Sequence, residues 1–206
     1  MTDVTVYGFS ASTFVRTARL ALEEKGVDYV LEPHMPHDEV MATLHPFGKI
    51  PAFRHSEMTL FETSAIATYV DDHFDGPALQ PADVVGRARM HQWISAYNDN
   101  GAPSIVPIIV HRLVFDAPDE ALIADRTPKA RKALEVFDGA LAEGEWLTGD
   151  TLTLADLFLA PPVFYLPMIS EGAALLDGLE NLDRWYRAIS ARASFTATMP
   201  DIPDAA

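Results

Sequence analysis

No cysteine occurs among the 206 residues. That excludes a disulfide scaffold, a thiolate metal site and any mechanism using a thiol of the protein's own. Long apolar runs are missing too: no stretch reaches the ~18 residues of a membrane-spanning helix. The opening MTDVTVYGF lacks a basic start followed by an apolar run, so no secretory signal is expected and a cytoplasmic location is the default. Basic side chains are scarce, 15 against 30 acidic ones, for a net charge of −15. Such a surface repels a phosphate backbone, which makes nucleic acid an unsuitable partner. An anionic ligand would have to be held by local backbone donors rather than drawn in from a distance.

The residues that are present have the balance of a globular protein, 49% apolar and 22% charged. Val4 and Val6 alternate with Thr5 and Tyr7, as in a strand buried on one face, and Gly8 ends the run. The hydroxyl-rich SASTF follows, then Phe14, Ala18, Ala21 and Leu22 at helical spacing, with Gly26 as the stop. VDYVLEP reads as a second strand, so the opening has the size of a βαβ unit. An irregular stretch with one helical turn around Glu39 to Leu44 comes next. Ala52 to Arg54 and Thr59 to Phe61 suit a hairpin, and Thr63 to His73 a helix.

Between Phe74 and Asp83 the sequence DGPALQPA reads as a linker, and strand signals vanish beyond it. Val84 to Phe115 is helical but interrupted by Gly101, Pro103 and Pro107, which predicts a kinked helix or two helices. Thr127-Pro128 reads as an N-cap followed by proline at the first helical position, starting a helix to about Glu143. Thr153 starts another, and Asn181 to Ala193 gives a last one with Leu182, Trp185, Tyr186 and Ile189 on its core face. The tail after Met199, PDIPDAA, is expected to fray.

Four segments now stand in order: YGFSASTFVRTARLALEEKG, HPFGKIPAF, LFETSAIATYV and TLTLADLFLA. Together they resemble the glutathione transferase family, and the SAS and PFGKIPAF blocks most resemble its serine-type phi-class and bacterial phi-like members. The resemblance covers nearly the whole chain. It implies an α/β plus all-α fold: a thioredoxin-like glutathione-binding domain over residues 1–75, a linker over 76–83 and an all-helical domain over 84–206. It also implies a homodimer, glutathione as co-substrate and no metal.

The resemblance assigns roles residue by residue. A free thiol has a pKa near 8.5, and lowering it by about two units takes roughly 2.7 kcal/mol of preferential stabilisation of the anion. A hydroxyl donor and the positive end of a helix both act on the charged form. Ser12, at the start of the first helix, is implied as the thiol-activating serine, although a serine there also suits a plain helix cap. Tyr7 and Ser10 are its rivals. Ile50-Pro51 is implied to be a cis peptide whose exposed backbone binds the cysteinyl part of glutathione like an added strand. Glu62 and Thr63 match the ammonium and carboxylate of the γ-glutamyl group, with Thr63 where the family often has serine. Lys49 and His37 are candidates for the glycine carboxylate. The His34/His37 pair lacks further metal ligands at useful spacing.

Thr153-Leu154-Ala155-Asp156 is a capping box, with Asp in place of the usual Glu, and is assigned to folding. Phe9, Tyr97, His111 and Phe115 are candidates for an acceptor pocket, with Tyr165 and Met168 behind them; helical spacing explains most of these as core. The acceptor would be a small hydrophobic electrophile. Without cysteine the chain is expected to conjugate, reduce peroxides or isomerise rather than exchange disulfides. A glutathione-dependent isomerase or peroxidase, and a non-enzymatic glutathione binder, are the alternatives.

Overall fold

The alternation at the start of the chain becomes β1, Val4–Tyr7, in a computed structural model that describes residues 3–201. The chain folds as two compact units, one of residues 1–79 with 191–206 and the other of residues 80–190. The residues after 201, where most of the tail expected to fray falls, lie outside the described residues.

The first unit is built on a four-stranded sheet in the order β2-β1-β3-β4, with β2 Val30–Glu32, β3 Ala52–His55 and β4 Met58–Phe61. β1 runs parallel to β2 and antiparallel to β3, with Tyr7 opposite Ala52 and Val6 opposite Phe53. Period-2 geometry sends those two pairs to opposite faces. Phe53 meets Tyr69 of α3 (Thr63–His73) edge to face at 5.9 Å. Tyr7 and Ala52 pack with Met41 of α2 (Glu39–Leu44), and Leu44 and Ile50 close that cluster. α1 (Thr13–Lys25) packs against α3 and is buried around most of its circumference. Its last turn is fixed by Lys25, whose ammonium lies 3.1 Å from Asp71 of α3 and donates to the Pro77 carbonyl. Gly26 ends the helix in the left-handed conformation.

The second unit is helical. Asp83 caps α4 (Val84–Ala96) through the N–H groups of Val85 and Gly86. The expected interruption is a π-helical turn over Tyr97–Gly101, after which α5 continues as Ala102–Leu113. Thr127-Pro128 does not start a helix: α6 runs Glu120–Leu141 from an Asp119 cap that accepts from the N–H groups of Ala121 and Leu122. Pro128 sits inside it on the exposed side, where the carbonyl it strands can reach water, and Thr127 turns its hydroxyl onto the Ile123 carbonyl.

α7 (Leu154–Tyr165) is buried on every side and packs against α4, α5 and α9. Its capping box is complete. Asp156 accepts from the Thr153 and Leu147 N–H groups, each at 2.9 Å, and from the Trp185 indole at 3.0 Å. α8 (Gly172–Leu176) and α9 (Glu180–Ser190) follow. Leu182, Trp185 and Ile189 of α9 are buried as its spacing implies, with Tyr186 half-buried.

The last helix expected to reach Ala193 ends at Ser190, and a separate α10, Ala193–Ala197, belongs to the first unit. The division at 84–206 therefore differs from the compact units at its C-terminal end. The physical reason is a set of polar contacts between α1 and residues 192–199, which hydrophobic periodicity does not reveal.

Candidate functional site

Four stretches of the first unit converge. β1 ends at Tyr7, and Gly8 follows with φ +145°. A side chain there would overlap Val15 Cγ2 and lie 3.2 Å from Ile50 Cβ, so only glycine lets the strand end pass between α1 and the Ile50-Pro51 segment. The chain then turns, with the Ser12 N–H bonded to the Phe9 carbonyl at 3.1 Å. Ser12 is the N-cap of α1 and its hydroxyl oxygen accepts from the Val15 N–H at 3.4 Å. That is a long bond, and it uses a lone pair rather than the hydroxyl proton. Ser12 is half-buried, so it is both a cap and an available donor at the positive end of a helix.

Of its rivals, Ser10 lies half-buried in the preceding turn. The Tyr7 ring is buried against Met41 and Ile50, with the Arg54 guanidinium 5.3 Å from its centroid. Phe9, next to the turn, is half-buried.

The Ile50-Pro51 peptide is cis. Ile50 lies just outside the ladder, which on this side begins with the Tyr7–Ala52 pair. The segment leading to it is shaped by Gly48, whose φ of +61° and contact with His37 exclude a side chain: a Cβ would lie 2.6 Å from His37 Nδ1. The His37 N–H donates to the Gly48 carbonyl at 2.6 Å. His37 and Lys49, well separated along the chain and joined by no pattern, are thus neighbours on one exposed rim.

Glu62 precedes α3 in a left-handed conformation, φ +68°, unusual for a residue with a side chain. The Glu62 side chain makes no cap bond to that helix, so its first N–H groups are left to other surroundings or a ligand. Thr63 is buried at its first position and Glu62 is exposed. The pairing of a strained acidic residue with an open helix start suits a group carrying both an ammonium and a carboxylate.

His45 is a residue that sequence reasoning missed. It is 3% exposed, accepts from the Phe47 N–H through Nδ1 at 3.1 Å, and packs on the Phe61 ring at 5.1 Å. Burial holds its imidazole below the ordinary value, with Glu62 pulling it up and Lys49 pushing it down. It is therefore a neutral strut between the Lys49 and Glu62 loops. His-Pro in HPFGKIP was the available signal. His34 is occupied by Asp38 at 2.8 Å, and no group of three His, Asp or Glu residues among the described ones is arranged to hold a metal ion.

In the second unit Tyr97 is core, 1% exposed and edge-on to Phe158 at 6.2 Å. His111 accepts from the Asp119 N–H and stands edge to face with Phe115, which is 49% exposed. Tyr165 is buried and Met168 exposed.

A thioredoxin-like sheet with a cis-proline before β3 and a capped α1, followed by an all-helical unit, defines a two-domain architecture. Family models agree: residues 6–78 match the glutathione S-transferase N-terminal domain and residues 97–193 the glutathione S-transferase C-terminal domain. Glutathione S-transferase 4 of Zea mays is 35% identical over 202 residues, covering 92% of this chain and 88% of the relative. Among solved structures, glutathione S-transferase III in apo form is 30% identical, covers 98% of both chains and superposes with a TM-score of 0.88. Glutathione S-transferase I from mais, in complex with an atrazine glutathione conjugate, is 25% identical with a TM-score of 0.84, covering 95% of this chain and 96% of its own. The chain belongs to the glutathione S-transferase family. Its relatives include phi-class plant members.

Proposed function

We propose that this protein is a serine-type glutathione transferase that joins the glutathione thiolate to small apolar electrophiles. The observation that carries this reading is the meeting, around Gly8, of the Ser12 turn and the cis Ile50-Pro51 segment. A tripeptide laid against Ile50 as an added strand brings its cysteinyl sulfur toward the Ser12 hydroxyl and the N-terminus of α1. Its γ-glutamyl end meets Glu62 and the Thr63 start of α3, and its glycine carboxylate meets Lys49 and His37. Ser12 donates to the sulfur anion, which lowers the thiol pKa without transferring a proton to the protein. The ionised sulfur then attacks the electrophile, the new carbon–sulfur bond forms and the leaving group departs with its electron pair.

In the first unit Phe9 is a proposed acceptor contact; in the second, the burial of Tyr97 favours a core role for it. A homodimer, which rests on the family resemblance, and a cytoplasmic location belong to the same reading.

The test is turnover of an activated aryl chloride with glutathione. The product mass should equal the two reactants less hydrogen chloride. Ser12→Ala should cut kcat about 100-fold, the cost of losing one donor to a developing or resident anion, while the KM for glutathione changes by less than about threefold. A large KM change at unaltered kcat contradicts the role given to Ser12.

A further inference from the structure

The C-terminal segment of the first unit is fastened to α1 by three charged side chains of that helix. Arg16 is fully buried. Its guanidinium donates to the Phe195 carbonyl at 3.1 Å, to Thr198 Oγ1 at 3.4 Å and to Met199 Sδ at 3.4 Å, and lies 4.1 Å from the Phe195 ring centroid. One turn on, Arg19 donates to the Thr198 and Ala197 carbonyls at 3.3 and 3.4 Å and to the Tyr29 hydroxyl at 2.9 Å. The two arginines thus occupy the carbonyl end of α10, where a short helix presents unsatisfied acceptors and partial negative charge. At the far end of α1, Glu24 takes a bidentate pair of bonds from Arg192, at 2.6 and 2.7 Å, and a short one from the Ser194 hydroxyl. Burial pushes the Glu24 carboxyl up, but Arg192 and Ser194 outweigh it and hold it below the ordinary value.

These contacts matter because of what else Arg16 holds. Its backbone N–H makes the first helical hydrogen bond of α1, to the Ser12 carbonyl at 2.9 Å. The same residue is therefore bonded through its backbone to the cap residue and through its side chain to residues 195–199. A buried guanidinium with three acceptors has little freedom to slide. Rotation or axial shift of α1 by about 1 Å would carry Ser12 Oγ out of hydrogen-bond reach of a sulfur placed by the cis-proline edge.

We infer that Arg16 is a positioning residue for Ser12, and that residues 192–199 act as a clasp that sets the angle and height of α1 beneath the bound thiol. The inference rests on the role proposed for Ser12. It assigns a function in thiol ionisation to a C-terminal segment that touches no reacting atom.

The experiment is ultraviolet difference titration of the thiolate of bound glutathione in the full-length protein, for wild type, Ser12→Ala, Arg16→Lys and Thr198→Val. Thr198→Val removes one Arg16 acceptor at almost constant volume and remains available if Arg16→Lys fails to fold. The clasp variants should bind glutathione within twofold of wild type yet show a bound-thiol pKa higher by about half to one unit. Their kcat should be about three- to tenfold low at pH 6.5 and recover above pH 9, where sulfur ionises unaided. A loss of thermal stability with an unshifted titration would make the clasp structural only and overturn the inference. If Ser12→Ala itself leaves the titration unchanged, the proposed catalytic role of Ser12 fails, and the clasp has no role to support.

Discussion

At Ser12 one oxygen accepts from the Val15 N–H while its proton stays available to a ligand, so capping and donation are compatible rather than rival roles. The site residues proposed from the family resemblance also have local signatures: a serine at a helix start, a proline after an aliphatic residue, an acid-hydroxyl pair before a helix. Those that escaped act across the fold. Gly8 matters because Val15 and Ile50 crowd it, and His45 because it stands between loops that only folding brings together. Gly48→Ala puts this to the test at single-residue scale. Its left-handed backbone and the nearby His37 ring should cost about 1–2 kcal/mol and displace the Lys49 loop. Urea unfolding should show the loss, and glutathione KM should rise several-fold with kcat nearly unchanged, because the role proposed for the loop is to bind the tripeptide far from the sulfur. An unaltered KM would remove Lys49 and His37 from the binding site.

Elements were legible where caps and periodicity agreed, as at α1 and α7. They were misread where a local signal competed with a better one out of view. Thr127-Pro128 imitates a helix start, but Asp119 caps the same helix two turns earlier and tertiary packing carries it through the proline. The α7 cap allows a quantitative statement. Asp156→Asn replaces one acceptor oxygen with an amide facing buried donors from Thr153, Leu147 or Trp185, and should cost about 2–4 kcal/mol, read by urea unfolding with Trp fluorescence. Burial pushes the Asp156 carboxyl up to about 6, against those same donors, which pull it down. A raised native value means the folded state binds this proton more readily than the unfolded one between about 6 and the ordinary 3.8. The group's contribution to stability therefore grows as pH falls through that window, by at most about 1.4 kcal/mol per unit. The gap between wild type and Asp156→Asn should widen from pH 7 to pH 4.5. A gap that narrows on acidification would show the carboxylate is bound ionised.

For the molecule as a whole, a net charge of −15 sets the terms on which an anionic tripeptide arrives. Long-range forces oppose its approach, and the proposed site would hold it by helix-start N–H groups, backbone edge and a few local cations. Added salt screens the repulsion within about 10 Å at 0.1 M. The KM for glutathione should stay flat or fall as sodium chloride rises from 10 to about 150 mM, and a several-fold rise would mean that Lys49 steers the ligand instead. That expectation follows from composition, in which basic residues are scarce. The architecture was legible through four spaced motifs, but the C-terminal return to the first unit was not, because buried arginines meeting carbonyls leave no periodic trace.

The central claim is that a serine proton and the end of α1 keep a bound sulfur ionised. Titrating the absorbance of bound glutathione near 240 nm in wild type and Ser12→Ala tests it most directly. The account predicts a wild-type midpoint about two units below the ~8.5 of a free thiol, shifted most of the way back in the variant. Superimposable curves would contradict it and move the donor to Tyr7 or Ser10.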